Sequence, residues 1–238
     1  KLLSGQIFKK PLFFLGFLFF YGNIFDMTLF TPPHLYDGHR WRGMRVGILG
    51  GSFNPPHAGH VHISTVAMKR LQLDCIWWLV TPGNPFKRGT NTLPYDERLR
   101  QCRAINHDPR VIISNLEEQI STIRTVDTFT TMKKRFPQTQ FVMIGGMDIA
   151  HEIPRWSRWR QLPKLTAMAF VARPPETSLV RQNGMRMTGW QSHRVLSGSA
   201  KPSLSPGNCY WILQSQMNYQ SSTQLREHQL NKYVRLAF

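Results

Sequence analysis

The sequence is poor in cysteine, and its few thiols are widely spaced. It contains three cysteines in 238 residues, Cys75, Cys102 and Cys209, and no C-x-x-C pair. An odd, scattered set of this kind excludes a disulfide framework and a zinc knuckle. Reduced thiols are typical of a cytoplasmic protein, and this is the compartment that we expect.

Acidic residues are also scarce. Lys and Arg number 30 against 13 Asp and Glu, which gives a formal net charge of +17. This excess indicates anionic partners such as nucleotides, nucleic acid or acidic lipid. The arginines are spread along the chain without a long run, which disfavours a specific nucleic-acid-binding protein but leaves that class as an alternative. Because 41% of the residues are hydrophobic, the chain can bury a core, and a disordered chain is excluded.

A long membrane-spanning run is missing. The most apolar stretch, residues 11–25, is shorter than the roughly 20 residues that a spanning helix needs. We interpret residues 1–43 as an N-terminal extension, apolar at 11–25, that the functional domain does not need. Residues 44–238 then form a single domain, for which the length is suitable. A membrane-surface anchor is the alternative for the extension, and the domain itself is not expected to bind membranes.

Two common nucleotide-binding motifs, G-x-G-x-x-G and G-x-x-x-x-G-K-[ST], are absent where the first strand ends. Short apolar runs instead alternate with segments of helical periodicity. The pattern predicts strands at 44–50, 75–80, 111–113, 140–144, 167–172 and 210–213, and helices at 57–71, 94–105, 125–136 and 222–237. Such alternation predicts an α/β fold with a parallel sheet and helices on both faces. Ligands bind beyond the carboxyl ends of the strands in such sheets.

The turn between the first predicted strand and helix has the chemistry of a phosphate site. Gly50 and Gly51 let the backbone approach a ligand closely, and the helix start offers N–H groups and a positive dipole end. His57 and His60 are three positions apart, so they lie on one face of the first turn. Imidazoles there can donate hydrogen bonds to phosphate oxygens. The alternatives are a satisfied surface histidine and a metal-binding pair, although zinc helices place histidines four apart with a carboxylate nearby.

The run from Gly51 to His60, Gly-Ser-Phe-Asn-Pro-Pro-His-Ala-Gly-His, resembles the H-x-G-H signature of nucleotidylyltransferases. The wider run resembles the nicotinate-mononucleotide adenylyltransferases of bacterial NAD synthesis, although Asn54 stands where many members have Asp. The resemblance covers about residues 44–233 and implies a Rossmann-like, doubly wound sheet in a single domain. It also implies ATP contacts in this turn, at Gly50, Gly51, Ser52, Phe53, His57 and His60.

A second helix start of the phosphate-binding type lies near the carboxyl terminus. The run Ser-Ser-Thr-Gln-Leu-Arg at 221–226 resembles the family's S-S-T-x-[IL]-R pattern, which binds the triphosphate. The resemblance assigns four residues here to ATP: Ser221, Ser222, Thr223 and Arg226. Arg226 joins the two histidines as a catalytic residue. Ser221 or Ser222 would also serve as an ordinary helix N-cap.

The resemblance places nicotinate mononucleotide as well. It assigns this substrate to five positions: Lys87, Thr125, Asp148, Trp156 and Arg173. Lys87 and Arg173 would bind phosphate, Asp148 would contact a ribose hydroxyl, and Trp156 would stack on the pyridine ring. Arg124 is followed directly by Thr125, so the tyrosine that the family usually has between these two positions is missing here. A solvated loop lysine is the alternative for Lys87, and core packing is the alternative for Trp156.

The resemblance therefore implies adenylyl transfer from ATP to nicotinate mononucleotide, which yields nicotinate adenine dinucleotide and pyrophosphate. Mg²⁺ is expected on the triphosphate, held by phosphate oxygens and water, with no metal site built from protein ligands. Another H-x-G-H enzyme, acting on nicotinamide mononucleotide or pantetheine phosphate, is the nearest alternative. A homo-oligomer is compatible with the sequence, which does not specify the oligomeric state.

Overall fold

The strands in the described part of the protein form one parallel sheet. The computed structural model describes residues 30–83, 92–172, 192–194 and 201–213 of the chain. The strands in these ranges are β1 Arg45–Gly51, β2 Cys75–Val80, β3 Val111–Ser114, β4 Gln140–Gly146, β5 Ala167–Val171, β6 Ser192–Arg194 and β7 Cys209–Ile212. They form a seven-stranded sheet in the order β3-β2-β1-β4-β5-β7-β6. Every neighbouring pair is parallel.

Helices cover both faces of this sheet. They are α1 Ala58–Leu71, α2 Tyr95–Ile105, α3 Leu116–Ile120, α4 Thr125–Arg135, α5 Met147–Glu152 and α6 Leu162–Leu165. Short 3-10 helices occupy Gly38–Trp41, Ile153–Arg155 and Trp159–Gln161. Two core clusters result, one between the sheet and α1 and α2, the other between the sheet and α3 to α6.

Strand β2 shows why the strands are apolar without alternation. All six of its residues, Cys-Ile-Trp-Trp-Leu-Val, are buried. Trp77 packs in the cluster with α4 and α5, whereas Trp78 packs in the cluster with α1 and α2. A strand whose two faces are both covered has no side that favours polar residues.

The predicted fold class is confirmed, and all six predicted strands are present. Their ends shift by one or two residues; β4, for example, continues to Gly146. Strand β6 was not predicted, because Ser-His-Arg lacks an apolar run. The short helices α3, α5 and α6 were also missed. The predicted closing helix at 222–237 lies outside the described residues.

Residues 30–43 pack against the sheet. Trp41 is only 1% exposed, and its ring meets that of Trp77 edge to face at 4.7 Å between centroids. Phe30 lies against Trp41 at 5.6 Å. The Gly43 N–H donates to the carbonyl of Gln138 at 2.9 Å. The dispensability of residues 1–43 stays a prediction, but the burial of Trp41 argues against a boundary at Met44.

The three cysteines are free and buried. They lie in different elements: Cys75 in β2, Cys102 in α2 and Cys209 in β7. Burial raises the pKa of each thiol to about 12. In the part of the chain that the structure describes, the search for a helix of sufficient length and hydropathy to cross a membrane finds none.

Candidate active site

The candidate site lies at the carboxyl edge of the sheet, where strand order reverses. β1 is flanked by β2 on one side and β4 on the other, and the chain continues outward from each of these strands. At this edge Gly50 pairs with Leu79 of β2, and Leu49 pairs with Ile144 of β4. The loops after β1 and β4 therefore flank the switch point, which is where open α/β sheets bind ligands.

The end of β1 leaves room for a ligand. Gly50 is exposed, and a Cβ atom placed on it meets no other atom within 4 Å. At Gly51 such an atom would contact the ring of Phe53 at 3.4 Å. By contrast, a Cβ atom on Gly47, earlier in the same strand, would lie 2.8 Å from Leu73. Core packing thus favours glycine at Gly47, whereas at Gly50 its effect is to keep the site open.

The ring of Phe53 packs between the core and His60 of the candidate site. The φ of Phe53, +47°, lies in the left-handed region, which disfavours a side chain. Its ring is 1% exposed, stacks on Trp78 at 5.1 Å, and lies 4.6 Å from the ring of His60. Burial of the ring offsets the unfavourable backbone. Because the ring is buried, any contact between Phe53 and ATP would involve its backbone.

His57 and His60 cap the first turn of α1. His57 is the N-cap residue, and its Nδ1 accepts a hydrogen bond from the Gly59 N–H at 3.0 Å. The Nδ1 of His60 accepts from the His57 N–H at 3.2 Å. This is a capping box with imidazoles in place of the usual hydroxyl and carboxamide or carboxylate. The two ring centroids are 3.9 Å apart.

Capping fixes the protonation pattern of the two rings. An Nδ1 atom that accepts a hydrogen bond carries no proton, so in each neutral imidazole the proton is on Nε2. Both rings therefore hold an N–H donor on Nε2, the nitrogen farther from the backbone. Two such donors at the start of a helix suit an anionic oxygen.

Thr125, a predicted site residue, is the first residue of α4 and lies at the carboxyl edge of the sheet. It is half-buried. Of its neighbours in the motif, Asp127 forms an ion pair with Arg158. The Thr128 hydroxyl points inward and donates to Oε1 of the buried Glu117 at 3.1 Å. Thr128 therefore supports the helix from within.

The turn after β4 presents Asp148 and Trp156. Asp148 lies in the first turn of α5, directly after the strand ends at Gly146. Trp156 follows the 3-10 helix Ile153–Arg155, is half-buried, and packs against the core cluster on that face. Residues 52–57, between β1 and α1, form a segment that we call the phosphate cradle. The fold thus brings this cradle and Asp148 to adjacent strand ends, while the stacking role of Trp156 stays a prediction.

The remaining predicted site residues lie outside the described residues: Lys87, Arg173, Ser221, Ser222, Thr223 and Arg226. Their roles stay predictions. Within the described ranges, no group of three or more His, Cys, Asp and Glu side chains is arranged to hold a metal ion.

Comparison with known proteins identifies the family. Residues 48–228 match the family model described as Cytidylyltransferase-like. A protein of Methylorubrum extorquens named "Probable nicotinate-nucleotide adenylyltransferase" is 40% identical over 185 residues, which are 77% of this chain and 99% of that protein. A Bradyrhizobium protein of the same name is 46% identical over 134 residues, covering 56% of this chain and 70% of that protein. The chain belongs to the nicotinate-nucleotide adenylyltransferase family.

Solved structures agree on the fold. A Plasmodium falciparum nicotinic acid mononucleotide adenylyltransferase complexed with NaAD superimposes with a TM-score of 0.58 at 17% identity. The match covers 77% of this chain and 83% of that chain. The same enzyme complexed with APC gives a TM-score of 0.56 at 16% identity. At this level of identity, the likeness supports the Rossmann-like fold.

Two buried charged residues beneath the candidate site were not predicted to belong to it. Arg98 in α2 is 2% exposed and Glu117 in α3 is 7% exposed. Arg98 precedes Cys102 by four positions, so helical periodicity places it on the apolar face of α2. This signal was present in the sequence. Glu117 had no comparable signal, because α3 is too short to show a period.

Proposed function

We propose that this protein transfers the adenylyl group of ATP to nicotinate mononucleotide, releasing pyrophosphate. The observation that carries the proposal is the pair of capped histidines, His57 and His60, at the strand-order switch point. Family membership supports the same reaction, since relatives that align over most of the chain carry the name of this enzyme.

The reaction requires alignment and charge stabilisation. A phosphate oxygen of the mononucleotide attacks the α-phosphorus of ATP, and the bond to the bridging oxygen breaks as pyrophosphate leaves with the electron pair. The attacking phosphate is already anionic near neutral pH, so no protein base has to remove a proton. The Nε2–H groups of His57 and His60 would stabilise the charge that develops on the transferring phosphate oxygens.

Other groups complete the proposal. Asp148, at the start of α5, would accept hydrogen bonds from a ribose diol. Arg226 and Ser222 would bind the leaving pyrophosphate, as the resemblance implies. Mg²⁺ bound to the triphosphate would neutralise part of its charge. We expect phosphate oxygens and water to supply most of its ligands, and the described residues offer no competing cluster of metal ligands.

Pyrophosphate release from ATP tests the function directly, with nicotinate mononucleotide, nicotinamide mononucleotide and pantetheine phosphate as separate acceptors. We expect the nicotinate compound to give the highest kcat/KM. Preference for another acceptor would change the substrate, and no release with any of the three would reject the function.

A variant at His60 tests the role of the histidines. His60→Ala should lower kcat by about 10²- to 10³-fold, with much smaller changes in KM, because the lost donor acts on charge formed in the transition state. His62→Ala is the matched control on the same helix, and it should retain activity. A loss confined to KM, or equal losses in both variants, would contradict the transition-state role.

A further inference from the structure

Arg98 connects three segments of backbone beneath the site. Its Nη1 donates to the carbonyl oxygens of Ser52 at 2.7 Å and Thr81 at 2.8 Å. Its Nη2 donates to the Pro82 carbonyl at 3.2 Å, and its Nε donates to that of Leu93 at 3.1 Å. Four bonds from one guanidinium use most of its five N–H donors.

The carbonyl groups that accept these hydrogen bonds lie in the segments next to the candidate site. Ser52 belongs to the cradle after β1, and Thr81 and Pro82 begin the segment after β2. Leu93 lies where the chain approaches α2, and its own N–H donates to Oδ1 of Asn54 in the cradle at 3.1 Å. Arg98 therefore fixes the cradle relative to the loop of the neighbouring strand.

The bonds also orient peptide groups. In a planar trans peptide, the C=O of one residue and the N–H of the next point in opposite directions. Because the Ser52 carbonyl points at Arg98, the N–H of Phe53 points away from it. The Pro82 carbonyl likewise directs the N–H of Gly83 away from the guanidinium. Arg98 thus fixes the orientation of one backbone N–H group after β1 and of one after β2.

The charge of Arg98 is buried without a carboxylate ion pair among the described residues. Arg98 is only 2% exposed. Its positive charge is stabilised by carbonyl dipoles and by the ring of Tyr95, 5.3 Å away. Burial lowers the pKa of Arg98, but an arginine stays protonated at neutral pH. A fixed positive charge therefore lies below loops that we expect to bind phosphates.

We propose that Arg98 is a positioning residue for adenylyl transfer, which fixes the cradle relative to Thr81 and Pro82 at the end of β2, in the arrangement that aligns the two substrates. The inference rests on the proposed function. It predicts that loss of the fork geometry, even with the charge retained, lowers turnover more than general destabilisation would.

Arg45 provides a matched control at the opposite edge of the sheet. It is 5% exposed and donates to the carbonyls of Leu71, Gln72 and Pro202. Arg45 is the first residue of β1, whereas the cradle follows its last residue, Gly51. A substitution at Arg45 removes the same kind of contact far from the proposed chemistry.

The experiment compares Arg98→Lys with Arg45→Lys in the full chain, by steady-state pyrophosphate release and by urea unfolding. Lysine keeps the charge but donates from a single nitrogen, so it cannot hold carbonyls on three segments. We expect both variants to lose stability. Arg98→Lys should also lower kcat at least about tenfold, because small misplacements of reacting groups are costly. Arg45→Lys should keep kcat within about twofold.

Wild-type kcat and KM values in Arg98→Lys, or an equal loss of kcat in Arg45→Lys, would overturn the positioning role while leaving the proposed function intact. Failure of the unsubstituted protein to release pyrophosphate would reject the function itself. If Arg98→Lys does not fold, Asn54→Ala carries the test, since it removes the other link between the cradle and Leu93. Its kcat should then fall, and an unchanged value would refute the proposal.

Discussion

Trp41 gives the strongest test of where the folded domain begins. We predict that a protein started at Met44 is much less stable than one started at Met27, because the shorter protein lacks Trp41. That side chain is 1% exposed and packs on Trp77. The shorter protein also loses the Trp41 carbonyl, which accepts a hydrogen bond from the Thr139 hydroxyl at 2.8 Å.

The size of the effect follows from burial. Removal of a buried tryptophan side chain costs about 3–5 kcal/mol, a large part of the 5–15 kcal/mol that typically separates folded from unfolded domains. For a domain of this length, each 1 kcal/mol shifts Tm by roughly 2–4 °C. A loss of about 4 kcal/mol therefore lowers Tm by roughly 8–16 °C. Tryptophan fluorescence is unsuitable for this comparison, since the shorter protein lacks the fluorophore Trp41.

Thermal and urea unfolding followed by circular dichroism measure the difference. Trp41→Ala in the longer protein should reproduce most of the loss, and Trp41→Phe should reproduce less of it. Tyr36→Ala is the control, because Tyr36 is an aromatic residue of the same segment that is 73% exposed. It should change stability by no more than about 0.5 kcal/mol. Equal unfolding midpoints for the proteins started at Met27 and Met44 would refute the reasoning and support a boundary at Met44.

Two further predictions concern the site and its support, and a control substitution at Gly47 accompanies the first. Gly50→Ala should keep stability within about 0.5 kcal/mol but lower kcat/KM for ATP at least about tenfold, since the methyl group enters the ligand space; full activity would contradict this. Gly47→Ala should instead cost about 1–3 kcal/mol on urea unfolding through its clash with Leu73. Burial raises the pKa of Glu117, so the folded protein holds the Glu117 proton more tightly than the unfolded chain does. The contribution of Glu117 to the free energy of unfolding is therefore largest below its unfolded pKa and is lost as pH rises through its folded pKa. In urea unfolding, the free energy of unfolding of Glu117→Gln relative to that of the unsubstituted protein should therefore rise from pH 4 to pH 7. A difference in unfolding free energy that does not change with pH would contradict this prediction.

The sequence predicted the sheet well because its strands are continuous apolar runs. The residues of β2 admit few other interpretations, and the glycines and histidines after β1 indicated the phosphate cradle. Strand β6 was missed because it consists of three residues, which among the described strands pair with β7 alone. Its stability comes from a neighbour that is distant in sequence, so no local pattern marks it.

The support of the site was harder to predict than its surface. The positive φ of Phe53 depends on ring burial against Trp78, a contact between segments that are separate in sequence. The four acceptors of Arg98 lie on three such segments. A sequence motif records the residue types whose side chains contact a ligand. Every residue has a backbone carbonyl, so contacts to carbonyls do not restrict the residue type and leave no motif. Trp41 was assigned to an extension because its contact with Trp77 also joins segments that are separate in sequence.

The buried thiols have a practical consequence. Thiol reagents attack the thiolate, and burial with a pKa of about 12 leaves almost none of it accessible in the folded protein. Modification of Cys75, Cys102 or Cys209 therefore requires the surrounding element to open first. Because these cysteines lie in β2, α2 and β7, peptide mapping of alkylated protein over time would compare opening rates at a central strand, a covering helix and the far side of the sheet. The protein thus carries three native reporters of local unfolding without any engineered label.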